Sequence, residues 1–72
     1  PKITPVDWKT LSKVFEAEGF TLNRQTASHL VYSKQGVLRP VVIPRYKEIG
    51  RDIIMNNLRT AGISRDRYFE LI

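Results

Sequence analysis

The length of 72 residues predicts one domain, residues 1–72. Because the chain has no cysteine, it can form neither disulfide bonds nor thiolate metal sites. Its 12 Lys and Arg residues against 7 Asp and Glu give a formal charge of +5. That excess favours a polyanionic partner such as nucleic acid, anionic lipid or an acidic protein, although it can also serve solubility alone. No stretch reaches the roughly 20 apolar residues of a membrane span, and charges interrupt the first twenty residues, so we expect a cytoplasmic protein without signal peptide or membrane segment.

The first predicted element is an amphipathic helix over residues 5–18. Thr4 suits the capping position, Pro5 suits the first helical position, and Gly19 is a natural stop. Three large side chains recur on one face at helical spacing: Trp8, Leu11 and Phe15.

Three strands are predicted to follow. Residues 20–25 alternate apolar and polar side chains, which indicates a half-buried strand. Residues 29–33 form the second strand, and Gly36 supplies the positive φ of the turn after it. Residues 38–43 form the third. Because Pro40 has no amide hydrogen to donate, either this strand lies at a sheet edge or Pro40 occupies a position whose amide faces solvent.

The second and third strands carry apolar residues in both phases of the alternation. A sheet covered on one face does not need both sets, so either the last helix wraps around the sheet or part of this surface is kept for a partner. The two sets are Leu30, Tyr32 and Val42 on one side, against Val31, Val41 and Ile43.

A second helix is predicted from Ile49 or Gly50 to Ala61, with Arg51, Met55 and Arg59 away from its buried stripe. Asn57 falls within that stripe and needs a hydrogen-bond partner there. Gly62 ends this helix, and Ser64 caps a short third one. Helices on one face of a three-stranded antiparallel sheet make an α+β domain of two layers. The apolar stripe consists of Ile53, Ile54, Leu58 and Ala61.

Several kinds of enzyme are excluded by missing residues. The glycines stand singly, so there is no phosphate-binding loop, and one histidine without cysteine cannot make a usual zinc site. Glu48 and Asp52 are four residues apart near a helix start, where a helix-dipole role is favoured over metal binding. We therefore predict no metal and no cofactor.

His29 is the residue best suited to chemistry in this basic chain. RNA carries its own nucleophile, the 2′-hydroxyl, so its cleavage requires proton transfer and stabilisation of the phosphate rather than a metal. Histidine titrates near neutrality and suits the proton transfer, while lysine and arginine supply the positive charge. A lone histidine at the start of a strand is, however, more often a surface or hydrogen-bonding residue.

A set of short motifs, in this order, resembles the HicA/YcfA-like family of mRNA interferase toxins. The resemblance runs from about Val6 to Leu71. It implies a fold like the double-stranded-RNA-binding domain, α-β-β-β-α, cleavage of mRNA with His29 as the catalytic residue, and inhibition by a HicB-like antitoxin protein. The motifs are Trp8, Glu18-Gly19-Phe20, Arg24-Gln25, Ser28-His29, Ile43-Pro44-Arg45 and Leu58-Arg59-Thr60-Ala61-Gly62-Ile63-Ser64.

Two positions depart from the family pattern. Ala27 stands where the family usually has glycine, and Tyr46 stands where many members have histidine. Residues that flank or follow the strands near His29 are the predicted RNA contacts, with Arg51 as a weaker candidate. These contacts are Arg24, Ser28, Lys34, Arg45, Tyr46 and Lys47.

The leading hypothesis is a metal-independent mRNA endoribonuclease that acts as the toxin of a toxin–antitoxin pair. The alternative is a non-catalytic module that grips structured RNA by its shape and phosphates. A third reading is a protein-interaction domain whose charge serves an acidic partner. Loss of His29 separates the first two, and absence of RNA affinity at low salt would favour the third.

Overall fold

The computed structural model describes residues 1–72. Its three strands form one antiparallel sheet in the order β1-β2-β3, with the helices on one face, which confirms the predicted α+β fold of the double-stranded-RNA-binding type. None of the helices has both the length and the apolar character to cross a lipid bilayer. The elements are α1 (Trp8–Ala17), β1 (Thr21–Gln25), β2 (His29–Ser33), β3 (Val41–Pro44), α2 (Arg51–Ala61) and α3 (Arg65–Leu71).

The first helix begins later than predicted, and Thr4 and Pro5 are not its first residues. Asp7 is the N-cap, and its carboxylate accepts a hydrogen bond from the Lys9 amide at 2.7 Å. Val6 forms an antiparallel bridge with Ile49, so the residue before the cap is paired outside the helix. A long-range pairing has therefore overridden the local helix-start signal.

The first strand is not half-buried as predicted, since all five of its residues are exposed. Phe20 is buried, but it precedes the strand. Both α1 and α2 pack chiefly against β3, at the opposite edge of the sheet, and they leave β1 uncovered. A bulge between Leu22 and Arg24 also breaks the alternation on which the prediction depended.

The third strand lies at a sheet edge, as predicted, but it spans Val41–Pro44 rather than residues 38–43. The side-chain amide of Asn57 in α2 donates to the Val42 carbonyl at 3.1 Å, which supplies the partner that Asn57 was expected to need. This contact occupies an acceptor on β3 and joins the strand to the helix.

The strand register shows which residues share a face, and it corrects the predicted grouping. Leu30 pairs with Ile43 and Tyr32 with Val41, so these four lie on the helix-covered face and are buried. The other face carries the pair of Val31 and Val42. Each pair joins an even-numbered residue to an odd-numbered one. Even-numbered residues of β2 therefore share a face with odd-numbered residues of β3.

The boundary between α2 and α3 follows the sequence signals closely. Gly62 has a φ of 72°, in the left-handed region that glycine adopts without strain, and Ser64 accepts a hydrogen bond from the Arg67 amide at 3.0 Å. Met55 was placed away from the core, but it is half-buried and packs against it. The side chain of Arg67 donates to Glu18 at 2.8 Å and so joins α3 to the end of α1.

Candidate active site

The loop between β1 and β2 is held by one threonine side chain. The Thr26 hydroxyl oxygen accepts hydrogen bonds from the Ser28 amide at 3.2 Å and from the His29 amide at 3.1 Å. The Thr26 amide in turn donates to the His29 carbonyl at 2.9 Å. Serine and threonine often form such local turns, but this role of Thr26 was missed from the sequence. The result is a tight hairpin that presents His29 at its end.

The residue that follows β3 joins this hairpin through its backbone. The Arg45 amide donates to the Ser28 carbonyl at 2.9 Å, and Pro44 lies opposite His29 in the strand register. His29 is therefore positioned from two sides, by its own hairpin and by the end of β3. Its side chain is exposed to solvent.

His29 lies on the face of the sheet that the helices leave open. Alternation along β2 places it on the same side as Val31, which pairs with exposed Val42 on β3 and with exposed Arg24 on β1. The histidine thus adjoins a surface that combines apolar and cationic side chains.

The side chain of Arg45 is held in place and is only half-exposed. Its Nη2 donates to Gln25 Oε1 at 2.5 Å, and its Cζ lies 4.6 Å from the centroid of the Trp8 ring. The Trp8 amide also donates to the Tyr46 carbonyl at 3.0 Å. These contacts join the start of α1, the end of β1 and the segment after β3, and we call Trp8, Gln25 and Arg45 the arginine clamp.

The clamp was only partly visible in the sequence. Trp8 packs against the core, as its place on the apolar face of α1 predicts, but it is only half-buried and its ring also contacts Arg45. Gln25 had been noted only as part of a family motif. No short-range signal links either residue to Arg45, because their separations along the chain are large.

The other predicted contacts divide into two groups. Tyr46 and Lys47 are exposed and follow Arg45 directly, so they lie at the same end of the sheet as His29. Lys34 follows the opposite end of β2, five residues from His29, or about 16 Å along a strand. There its ammonium donates to the Glu18 carbonyl at 2.7 Å, at the end of α1. The structure therefore does not bring Lys34 together with His29.

The remaining acidic candidates near the start of α2 are exposed. Asp52 lies in the first turn of α2, where a negative charge is favoured by the helix dipole, and Glu48 precedes that helix. No group of three or more His, Asp or Glu side chains converges anywhere in the chain. Arg51 is also exposed, in the same first turn.

Comparison with known proteins gives one match. The family model described as HicA toxin of bacterial toxin–antitoxin matches residues 8–63, a range that runs from Trp8 through the hairpin, the clamp and α2 to the residue before Ser64. No curated protein and no solved structure matches the chain.

Proposed function

Because the chain belongs to the HicA toxin family of bacterial toxin–antitoxin systems, we propose that it is a metal-independent mRNA endoribonuclease with His29 as its general acid/base. The observation that supports this most directly is the placement of His29. It is an exposed histidine on a hairpin that hydrogen bonds hold from two sides, and Arg24 lies on the same face of the sheet. Such a group can meet a substrate without a change in the fold.

The proposed reaction uses the 2′-hydroxyl of RNA as the nucleophile. Its oxygen attacks the adjacent phosphorus, the bond to the 5′-oxygen breaks, and a cyclic phosphate remains. The 2′-hydroxyl loses a proton and the departing 5′-oxygen gains one, and we assign one of these two transfers to His29. Proton transfer by a positioned group contributes roughly 10²–10⁴-fold in rate.

Positive charge supplies the rest of the proposed mechanism. Arg45 and Lys47 follow the strand that pairs with β2, and Arg24 lies on the open face with His29. Cations fixed near the reacting phosphate stabilise the charge that it gains in the transition state. We propose that Ser28 and Tyr46, which adjoin His29 and Arg45 in the chain, complete the RNA contacts.

The toxin role implies an antitoxin, which we propose to be HicB-like and to cover the open face of the sheet. Val42 is 44% exposed on that face, and Val31 beside it is half-buried. An apolar patch rimmed by cations suits an acidic protein partner. Occupation of this face would also block access of RNA to His29.

The test of the proposed function is the His29→Ala substitution. The variant is expected to fold with an unchanged melting temperature, because His29 is exposed and its hairpin bonds use backbone atoms. Cleavage of RNA and inhibition of bacterial growth are both expected to disappear. Undiminished cleavage by a folded His29→Ala protein would favour the alternative, an RNA-binding module without a catalytic histidine.

A further inference from the structure

A groove lies between α1 and strands β1 and β2, on the face of the sheet that the helices cover. It encloses about 330 Å³ and is lined by Trp8 and by the apolar side chains of Leu22 and Leu30. Leu22 remains 38% exposed there. Sites that bind small ligands range over roughly 300–1,000 Å³, so the groove can accept a group of the size of a nucleobase. Nothing in the mechanism above uses it.

One end of the groove adjoins the proposed catalytic hairpin. Trp8 lines the groove and also contacts Arg45, whose amide is bonded to the residue before His29. The groove extends along α1 as far as Glu16, eight residues beyond Trp8, which corresponds to about 12 Å of helix. His29 is on the open face, so an RNA strand cleaved there would pass around the end of the sheet, over the clamp, to reach the groove.

The side chains around the groove match the chemistry of a single RNA strand. Lys9 and Lys13 are exposed on its helical wall, one turn apart. The ring of Trp8 is the aromatic part of the lining, and Lys9 Nζ lies 5.7 Å from its centroid. Proteins that bind single strands combine cations for the phosphates with aromatic or apolar surfaces for the bases. A second copy of this chain, which also carries a formal charge of +5, would bring like charges together there.

The far end of the groove contains a hydrogen-bond acceptor. Glu16 Oε2 accepts from the Tyr32 hydroxyl at 2.6 Å, which orients the carboxylate and leaves its other oxygen available. A carboxylate accepts hydrogen bonds from the exocyclic amino group of a base such as cytosine. Uracil has no such group, so Glu16 discriminates between the two pyrimidines.

We propose that this groove is a subsite for single-stranded RNA beside the cleaved bond, and that Glu16 selects a base with an exocyclic amino group. The inference depends on the proposed function for its substrate, but it concerns binding and can be tested without cleavage. The His29→Ala protein is therefore the starting material, and the probes are labelled oligonucleotides of six cytidines and of six uridines.

The first measurement compares two double substitutions that remove the same charge. Lys9→Gln with Lys13→Gln alters the groove, whereas Arg59→Gln with Arg65→Gln alters another surface, near Ile3. Loss of two phosphate contacts should make the slope of log K against log salt less negative by about 1.4 in the groove variant. The control pair should retain the slope of the starting protein. Equal slopes for the two double variants would overturn the inference.

The second measurement uses the fluorescence of Trp8, the single tryptophan in the chain. Saturating oligocytidine is expected to change its emission, and to bind about tenfold more tightly than oligouridine because of one base-specific hydrogen bond. Glu16→Gln should remove most of that preference. Unchanged emission at saturation would refute the subsite. Equal affinity for the two oligonucleotides would refute its selectivity.

The outcomes also separate this inference from the proposed function. If the unmodified protein cleaves RNA but the groove substitutions alter neither affinity nor Trp8 emission, the nuclease assignment stands and the subsite is wrong. If only a protein partner changes the Trp8 emission, the groove is a protein interface and the inference is again overturned. Absence of both RNA binding and cleavage would remove the two proposals together.

Discussion

The guanidinium of Arg45 lies 4.6 Å from the centroid of the Trp8 ring, and this contact joins the first helix to the segment that follows β3. The same guanidinium donates a hydrogen bond to the side chain of Gln25, and the Arg45 amide donates one to the Ser28 carbonyl. Arg45 thus holds the hairpin and the end of β3 together in addition to supplying charge. A fixed geometry matters here because misplacement of a catalytic group by about 1 Å can lower a rate by about a hundredfold.

We expect Gln25→Ala to reduce RNA cleavage by roughly ten- to a hundredfold, since Arg45 loses its acceptor while the net charge stays the same. The cost in unfolding free energy should be only about 1 kcal/mol. Thr21→Ala, at the far exposed end of the same strand, is the matched control. Equal cleavage by the two variants would show that the clamp does not position the site.

Thr26→Val is expected to loosen the hairpin, because the variant keeps the shape of threonine but cannot accept the amide hydrogen bonds of Ser28 and His29. Unfolding free energy should fall by about 1 kcal/mol, and cleavage should fall further than that loss explains. Thr26→Ser retains the hydroxyl and should behave like the unmodified protein. Chemical denaturation and a cleavage assay measure the two effects, and equal activity of the valine and serine variants would contradict the prediction.

The chemistry of cleavage can be examined with a modified substrate. We expect cleavage to continue in excess EDTA and to stop when the nucleotide at the cleaved bond lacks its 2′-hydroxyl, because that group is the proposed nucleophile. The RNA fragment should end in a cyclic phosphate, which mass spectrometry detects. Loss of activity on chelation, with recovery on addition of magnesium, would instead show that cleavage needs a metal ion. Glu48 and Asp52 would then be the candidate ligands.

The proposed antitoxin interface is tested by two apolar-to-acidic substitutions. Val42→Asp places a charge on the open face beside the strand of His29 and should weaken the complex with the proposed HicB-like antitoxin. Leu38→Asp makes the same change at a residue that is 95% exposed between β2 and β3. Affinities measured by calorimetry should differ, and hydrogen exchange in β2 should slow in the complex. An antitoxin that left His29 accessible would refute inhibition by occlusion.

The acid stability of the protein should depend on Glu18. Its hydrogen bond from Arg67 holds the pKa of the Glu18 carboxyl below the ordinary value of 4.5. A lowered pKa in the folded state stabilises the protein above the unfolded pKa, and that contribution is lost as the pH falls through the folded pKa. Glu18→Gln should therefore lower the melting temperature at neutral pH and flatten its decline below about pH 4.5. An unchanged acid profile would show that this exposed pair contributes little.

Local signals in the sequence were sufficient for much of the fold. The residues of β2 were predicted at their observed bounds, Gly62 and Ser64 marked the junction of the last two helices, and the order of elements was correct. These features depend on contacts within a few residues, which composition and spacing describe directly. The candidate histidine was also identified at this level, from residue chemistry and a family resemblance.

Only the tertiary structure decided which of these residues meet. The bridge from Val6 to Ile49 moved the start of α1, the register of β2 against β3 reassigned the apolar faces, and Lys34 was placed at the end of the sheet away from His29. The contact of Arg45 with Trp8 joins residues that are 37 positions apart in the chain. Strand register and helix placement are determined by the packing of the whole core, so they cannot be predicted from short-range sequence patterns.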